Sequence, residues 1–347
     1  MRYAELSLAA QTAYAELAEQ TRAFELNQAL SGQSGSFQKL QRKGRDYWYF
    51  AYRDLGDKVR MVYLGPDDDE VRKAIDGVQA KRGGQATAPQ AKAALQLGCA
   101  PVAPKHFSII KRLAEYGFFR AGGVLIGTHA FLVLGNLLGV KWASGATTLD
   151  VDFAHAGKNV SIALPADLKI DVHDALTSLE MGLLPISQFD GSFGAQYRNP
   201  KDQELRLDFV TSMTRDGKAV VMPDLKLALE PLKFMEFSLE GTVQGCVIGT
   251  RGSCIVNLPA PERMAVHKLI VYGERPVRER TKANKDLLQA ASLASYFHET
   301  GGEDVFNAAW RDALGRGKGW KERAREGKAA LLRMAPELEI PGLWREK

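Results

Sequence analysis

The chain has 347 residues, of which 45% are hydrophobic and 25% charged, and a net charge of +5. Those proportions fit a globular protein of two or three domains and exclude a disordered or collagen-like chain. No apolar run nears the ~20 residues of a membrane span, the N-terminus carries Glu5, Glu16 and Glu19 where a signal peptide would not, and Cys99, Cys246 and Cys254 lack metal-like spacing, so a cytoplasmic, reduced protein with no membrane partner is expected.

Residues 1 to about 30 place Leu6, Ala9, Ala13, Leu17 and Phe24 at helical spacing, which predicts an amphipathic helix ending near Ser31-Gly32. Three short strands follow at Ser36 to Leu40, Tyr47 to Arg53 and Val59 to Leu64. Lys43-Gly44-Arg45 and Asp54-Leu55-Gly56-Asp57 supply their turns. A helix is predicted from Asp69 to Lys81, then a linker from Ala80 to Gln90 and further helix. Lys39, Arg42, Lys43, Arg45, Arg53, Lys58 and Arg60 lie here among Tyr47, Trp48, Tyr49, Phe50, Tyr52 and Tyr63. Cations among aromatics on a small sheet suit nucleic acid, whose phosphates meet amines and whose bases meet rings. The competing reading is a sheet whose rings form its own core.

A second domain is expected at 104–258, after an N-terminal unit at 1–103. Phe107 to Tyr116 reads as a helix, Ala121 to Ile126 as a strand, Thr128 to Leu138 as a helix and Leu149 to Phe153 as a strand. Leu205 to Val210 and Val220 to Met222 are further strands. Helices alternating with strands predict an α+β (α/β) fold with a mixed sheet and flanking helices. From 259 to 347 the pattern is helical: Pro261 to Tyr272, Asn284 to Thr300, Glu303 to Leu314 and Lys321 to Met334. A flexible basic turn is expected at Gly315 to Gly319, and the basic tail from Arg316 to Lys328 reads either as an RNA grip or as a solvated helix face.

Chemistry concentrates at Asp150 and Asp152. Residues i and i+2 of a strand point the same way, so both carboxylates project from one face. Two metal ions ~3.5–4 Å apart are a recurrent device of phosphoryl-type transfer, and bridging carboxylates hold them. A third carboxylate is expected on a neighbouring strand. Asp208 interrupts the apolar run Leu205 to Val210, where a carboxylate is costly unless paired or metal-bound, and Arg206 and Val210 share its face. Upstream, Gly127 lets backbone approach a phosphate, Thr128 offers a hydroxyl, and the next helix aims its N-terminus at the anion. His129 follows the turn and reads as a packing group more than a catalyst. No His/Cys cluster suggests zinc, and no Gly-x-Ser-x-Gly suggests a nucleophile elbow.

The order strand, Gly127-Thr128 turn, helix, Asp150-Val151-Asp152 strand and later Asp208 strand resembles the DNA polymerase β-type nucleotidyltransferase superfamily. There Gly-Ser is usual, and Thr128 keeps the hydroxyl. Phe118 to Phe131 with Thr148 to Phe153 resembles, more narrowly, a bacterial nucleotidyltransferase-like family. A looser resemblance is to AbiE-type toxin nucleotidyltransferases, in which a lysine and a later aspartate complete the site. It implies that Lys268 neutralises triphosphate charge, that Lys285 assists and that Asp286 orients Lys268 or the incoming hydroxyl. The sheet at 36–64 also resembles the three-stranded DNA-binding sheets of phage integrases.

The resemblance implies transfer of a nucleoside monophosphate from a triphosphate, ATP among the candidates, with Mg²⁺ or Mn²⁺ held by Asp150, Asp152 and Asp208. An RNA or tRNA 3′ end or a protein side chain would accept it, and a toxin role would bring an antitoxin partner. Two other readings stay open: a non-catalytic nucleic-acid-binding protein on a transferase fold, and a small-molecule transferase of the antibiotic-modifying type.

Overall fold

The computed structural model describes residues 2–30, 35–42, 44–53, 59–79, 87–146, 148–156, 170–186, 193–276 and 279–346. The expected helix end at Ser31-Gly32, the turn residue Lys43, the turn Asp54 to Asp57, Lys58, the linker up to residue 86 and Thr147 lie outside them.

The chain opens with a strand rather than with the expected helix: β1 (Tyr3–Glu5) precedes α1 (Leu8–Leu30). The cause is long-range. Tyr3 pairs with Trp142 of a later strand and packs its ring edge-on against Trp142 and Tyr296. Tertiary pairing here overrides local helical spacing.

Strands β2 (Gly35–Arg42), β3 (Arg45–Arg53) and β4 (Val59–Pro66) form an antiparallel sheet. Phe50 packs on one face with Leu26, Phe37, Val62 and Leu64. Tyr47, Tyr49 and Tyr63 make a ring cluster. Helices α2 (Asp69–Gln79) and α3 (Ala88–Gln96) follow, and both pack on α1.

Helix α4 (Pro104–Glu115) starts on a proline, whose fixed φ suits the first helical turn. Strand β5 (Gly123–Leu125), helix α5 (Gly127–Leu137) and strands β6 (Val140–Trp142) and β7 (Asp150–His155) come next. Then follow α6 (Val172–Thr177), β8 (Leu184–Ile186), β9 (Gln196–Asn199), β10 (Asp202–Ser212), β11 (Val220–Met222) and β12 (Leu227–Leu232). The main sheet runs β11-β12-β10-β7-β5, with β9 also on β10 and β8 on β9. It is mixed: β7, β10 and β12 are parallel, while β5 is antiparallel to β7.

After α7 (Met235–Leu239) comes a hairpin of β13 (Thr242–Gly249) and β14 (Gly252–Pro259). It joins the N-terminal region to the rest: Leu6, Ala10, Tyr14 and Leu17 of the N-terminal region share a core with Cys246, Ile248 and Ile255. Buried hydroxyls seal that seam, with Thr21 Oγ1 2.6 Å from Ser253 Oγ and Ser253 donating to Thr87 at 2.9 Å. All three cysteines are buried and unpaired.

Helices α8 (Pro261–Glu274), α9 (Arg280–Glu299), α10 (Glu303–Gly315) and α11 (Lys318–Met334) complete the α+β fold. The basic turn is shorter than expected, because α11 already begins at Lys318 once Gly317 takes a φ of 126°. Its cations are largely committed. Arg316 bonds Asp312 and Glu240, Arg323 bonds Glu274, Arg325 bonds Glu346, and Lys328 lies over Trp344. One apolar core runs from Tyr3 to Trp344 and places the helical region against the main sheet.

Candidate active site

Residue alternation on β7 buries Val151 and Phe153 and leaves Asp150 and Asp152 half-buried on the other face. Parallel pairing with β10 puts Asp208 directly opposite Asp152 and Arg206 opposite Asp150. Leu207 and Phe209 point into the core with Val151 and Phe153, and the Phe153 and Phe209 rings stack 5.1 Å apart. One apolar layer therefore fixes the register, and that register faces the carboxylates toward each other.

Burial and then the Asp208 charge push the Asp152 carboxyl up to about 6. Lys268 and Lys282 pull the other way. Arg206 holds Asp208, its Nε lying 2.9 Å from Oδ1 and 2.8 Å from Oδ2. Among the described residues no group of three or more His, Cys, Asp or Glu side chains is gathered tightly enough to hold an ion. Asp150, Asp152 and Asp208 thus share a face without forming a finished cage. Their chemistry still fits a hard cation: the donors are carboxylate oxygens, and the like charges of Asp152 and Asp208 raise a repulsion that Mg²⁺ or Mn²⁺ would cancel.

Gly127 closes the site from above. Its φ is 66°, and a Cβ built there would lie 2.3 Å from Asp152 Oδ2. Only glycine combines that backbone with so close a carboxylate. The N-cap residue of α5 is Ile126, and no side chain caps the helix. An uncapped helix start of this kind suits an anion. Thr128 is buried, and its Oγ1 accepts from Gln289 Nε2 at 3.3 Å. The same Nε2 donates to the Gly145 carbonyl at 2.7 Å. Gln289 therefore ties the glycine turn to the loop before β7.

Helix α9 brings the cations. Lys282, Lys285, Asp286 and Gln289 recur at helical spacing, which places them on one stripe. Burial and then Lys268 push the Lys285 ammonium down, while Asp286, Asp152 and Asp150 act on it with the opposite sign. Asp286 is buried and held from two sides, by Lys268 Nζ at 2.8 Å and by Arg275 Nε at 2.7 Å. Burial raises its carboxyl, and the two cations more than offset this, leaving it low.

His129 turns away from the acid pair. It is buried, its Nε2 lies 3.0 Å from His106 Nδ1, and burial pushes it down to about 3. His106 in turn bonds the backbone of Leu149, the residue before Asp150. It is a packing group, as the sequence suggested. Arg206 was visible in the sequence as a neighbour on the Asp208 face. His106, Arg275 and Gln289 carried no local signal, because their partners are distant in sequence.

Glycine turn, carboxylate pair and cationic helix meet at one place in the fold. The model of a family described as Nucleotidyltransferase matches residues 105–315, more than half of the chain, and the chain belongs to that nucleotidyltransferase family. No curated protein and no solved structure matches the chain. No helix among the described residues is long and apolar enough to cross a membrane.

Proposed function

We propose that the protein moves a nucleoside monophosphate from a nucleoside triphosphate to an acceptor hydroxyl in a reaction that needs Mg²⁺ or Mn²⁺. The observation that carries this reading is the placement of Asp208 opposite Asp152, with the Gly127 backbone against the Asp152 carboxylate. Asp150, Asp152 and Asp208 would hold the metal, which when bound would neutralise phosphate charge and align the reacting groups.

The amides at the start of α5 and the Thr128 hydroxyl receive the triphosphate. Lys268, kept in place by Asp286, and Lys285 balance its charge. The acceptor oxygen bonds to the α-phosphorus, the bond from that phosphorus to the bridging oxygen breaks, and pyrophosphate leaves. The hydroxyl proton passes to a carboxylate oxygen of Asp208. The acceptor is an RNA or tRNA 3′ end or a protein side chain, and the AbiE-type resemblance supports a toxin role with an antitoxin partner.

Parallel incubations with α-labelled and γ-labelled triphosphates, Mg²⁺ and total RNA test the reaction type. Label from the α position alone is expected on a macromolecule. Label from the γ position would make the protein a kinase, and label only in a low-mass product would move the acceptor to a small molecule.

A further inference from the structure

A groove of about 510 Å³ runs along α4, with Arg251 of the β13–β14 turn and Leu179 and Met181 completing its lining. Its charged lining is lopsided: Lys105, Lys111, Arg112 and Arg251 stand against one carboxylate, Glu115, which pairs with Arg112 at 3.7 Å. We infer that this groove binds the sugar-phosphate backbone of a single-stranded RNA whose 3′ hydroxyl is the acceptor. The inference rests on the nucleotidyl-transfer reading above.

Three relationships support it. The cations form a track along one helix. Lys105 and Arg112 are seven residues apart, a rise of about 10 Å, the length about three stacked nucleotides occupy at ~3.4 Å each. Between them Arg251 donates to Ser108 Oγ at 2.9 Å, so its guanidinium is fixed toward the middle of the track. Lys111 lies over the Phe107 ring at 6.0 Å.

The track also leads to the carboxylates. Lys105 bonds Asp202 at 2.6 Å, and Asp202 opens β10. Asp208 stands six residues along the same strand, about 20 Å away at ~3.3 Å per residue, with Arg206 between them. A strand with its end at Asp208 would pass Arg206 and Lys105 before entering the groove. The adjacent residue His106, about 100° further round the helix, meets His129 and the backbone of Leu149, so α4 touches the groove with one side and the segment before Asp150 with another.

Two cations of the other basic surface already have partners. On the three-stranded sheet Lys39 bonds Asp67 and Asp46, Trp48 Nε1 donates to Asp67 at 2.7 Å, and Arg42 lies over Tyr49. An acidic protein partner would suit the charge as well. The surplus of cations in the groove and the ion pair that ties its Lys105 end to the start of β10 favour a polynucleotide.

The test is anisotropy of a labelled 12-nucleotide single-stranded RNA across a salt series, with neither triphosphate nor metal, so that binding is read apart from chemistry. The combined variant Lys111→Ala, Arg112→Ala, Arg251→Ala should bind at least tenfold more weakly. Its slope of log affinity against log salt should fall by about 2, three contacts at ~0.7 each. The control Lys318→Ala, Lys321→Ala should match wild type. If the triple variant does not fold, Lys111→Gln and Arg251→Gln singly should each lower the slope by about 0.7. Unchanged affinity and slope in the groove variants overturn the inference, and so does tighter binding of polyglutamate than of RNA. Failure of transfer in a wild-type protein that binds RNA through the groove would count against the reaction, not against the groove.

Discussion

Asp208 stands directly across the parallel β7–β10 pair from Asp152, and its charge, after burial, keeps the Asp152 carboxyl up at about 6. The shift is raised, so the folded state holds the proton more tightly than the unfolded chain. The resulting penalty is absent at low pH and complete above about pH 6. At pH 8, Asp152→Asn should therefore stabilise the metal-free protein by roughly 1–3 kcal/mol. Mg²⁺ should raise the melting temperature of wild type and leave that of Asp152→Asn unmoved. Differential scanning fluorimetry with and without the ion reads both, and equal Mg²⁺ shifts in the two proteins would remove Asp152 from the metal site.

Gly127→Ala places a methyl where Asp152 Oδ2 now lies and forces φ 66° on an L-residue. The backbone term alone costs about 1–2 kcal/mol. Displacing the carboxylate by about 1 Å should lower kcat roughly 100-fold. Urea melts and steady-state kinetics check the two effects separately. A variant with wild-type turnover would mean that Asp152 need not sit where it does.

Asp286 is an anchor before it is anything else. Asp286→Ala leaves Lys268 and Arg275 without their shared carboxylate and should destabilise the fold by about 3 kcal/mol. Lys268→Met, in contrast, should fold and lose triphosphate binding, raising KM more than it lowers kcat. A kcat loss with unchanged KM would assign Lys268 to the transition state alone.

Glu25 supplies a pH test away from the site. Burial pushes its carboxyl up to about 7, with the Ile255 amide, Arg120 and Arg22 opposing. Its Oε1 accepts from the Ile255 N–H at 2.9 Å. The folded chain binds more protons between about pH 4.5 and 7, so stability falls as pH rises through that window. Glu25→Gln keeps the acceptor oxygen and removes the titration. The melting temperature of wild type relative to the variant should drop between pH 5 and pH 8, and parallel curves would contradict the assignment.

Period-two alternation made β7 and β10 legible, and an aspartate inside an apolar strand marked Asp208. The β13–β14 hairpin was not legible. Cys246 to Ile248 and Cys254 to Val256 are buried on both faces and show no alternation, and periodicity cannot separate such runs from buried helix. The opening strand at Tyr3 was equally hidden, since its partner Trp142 lies far along the chain. At the site, the turn and the acids stood out because each breaks a local pattern. Gln289 and Arg275 sit unremarkably on their own segments and gain meaning only from Thr128 and Asp286.

The most direct test of the central claim compares transfer of α-labelled nucleotide by wild type, Asp152→Asn and Asp208→Asn, each with Mg²⁺, with Mn²⁺ and with a chelator. The account predicts transfer by wild type with either ion, none with the chelator, and a loss of about 100- to 1,000-fold in both variants, as expected when a charge-stabilising group is removed. Wild-type rates in folded Asp152→Asn and Asp208→Asn, or transfer that persists in the chelator, would contradict it.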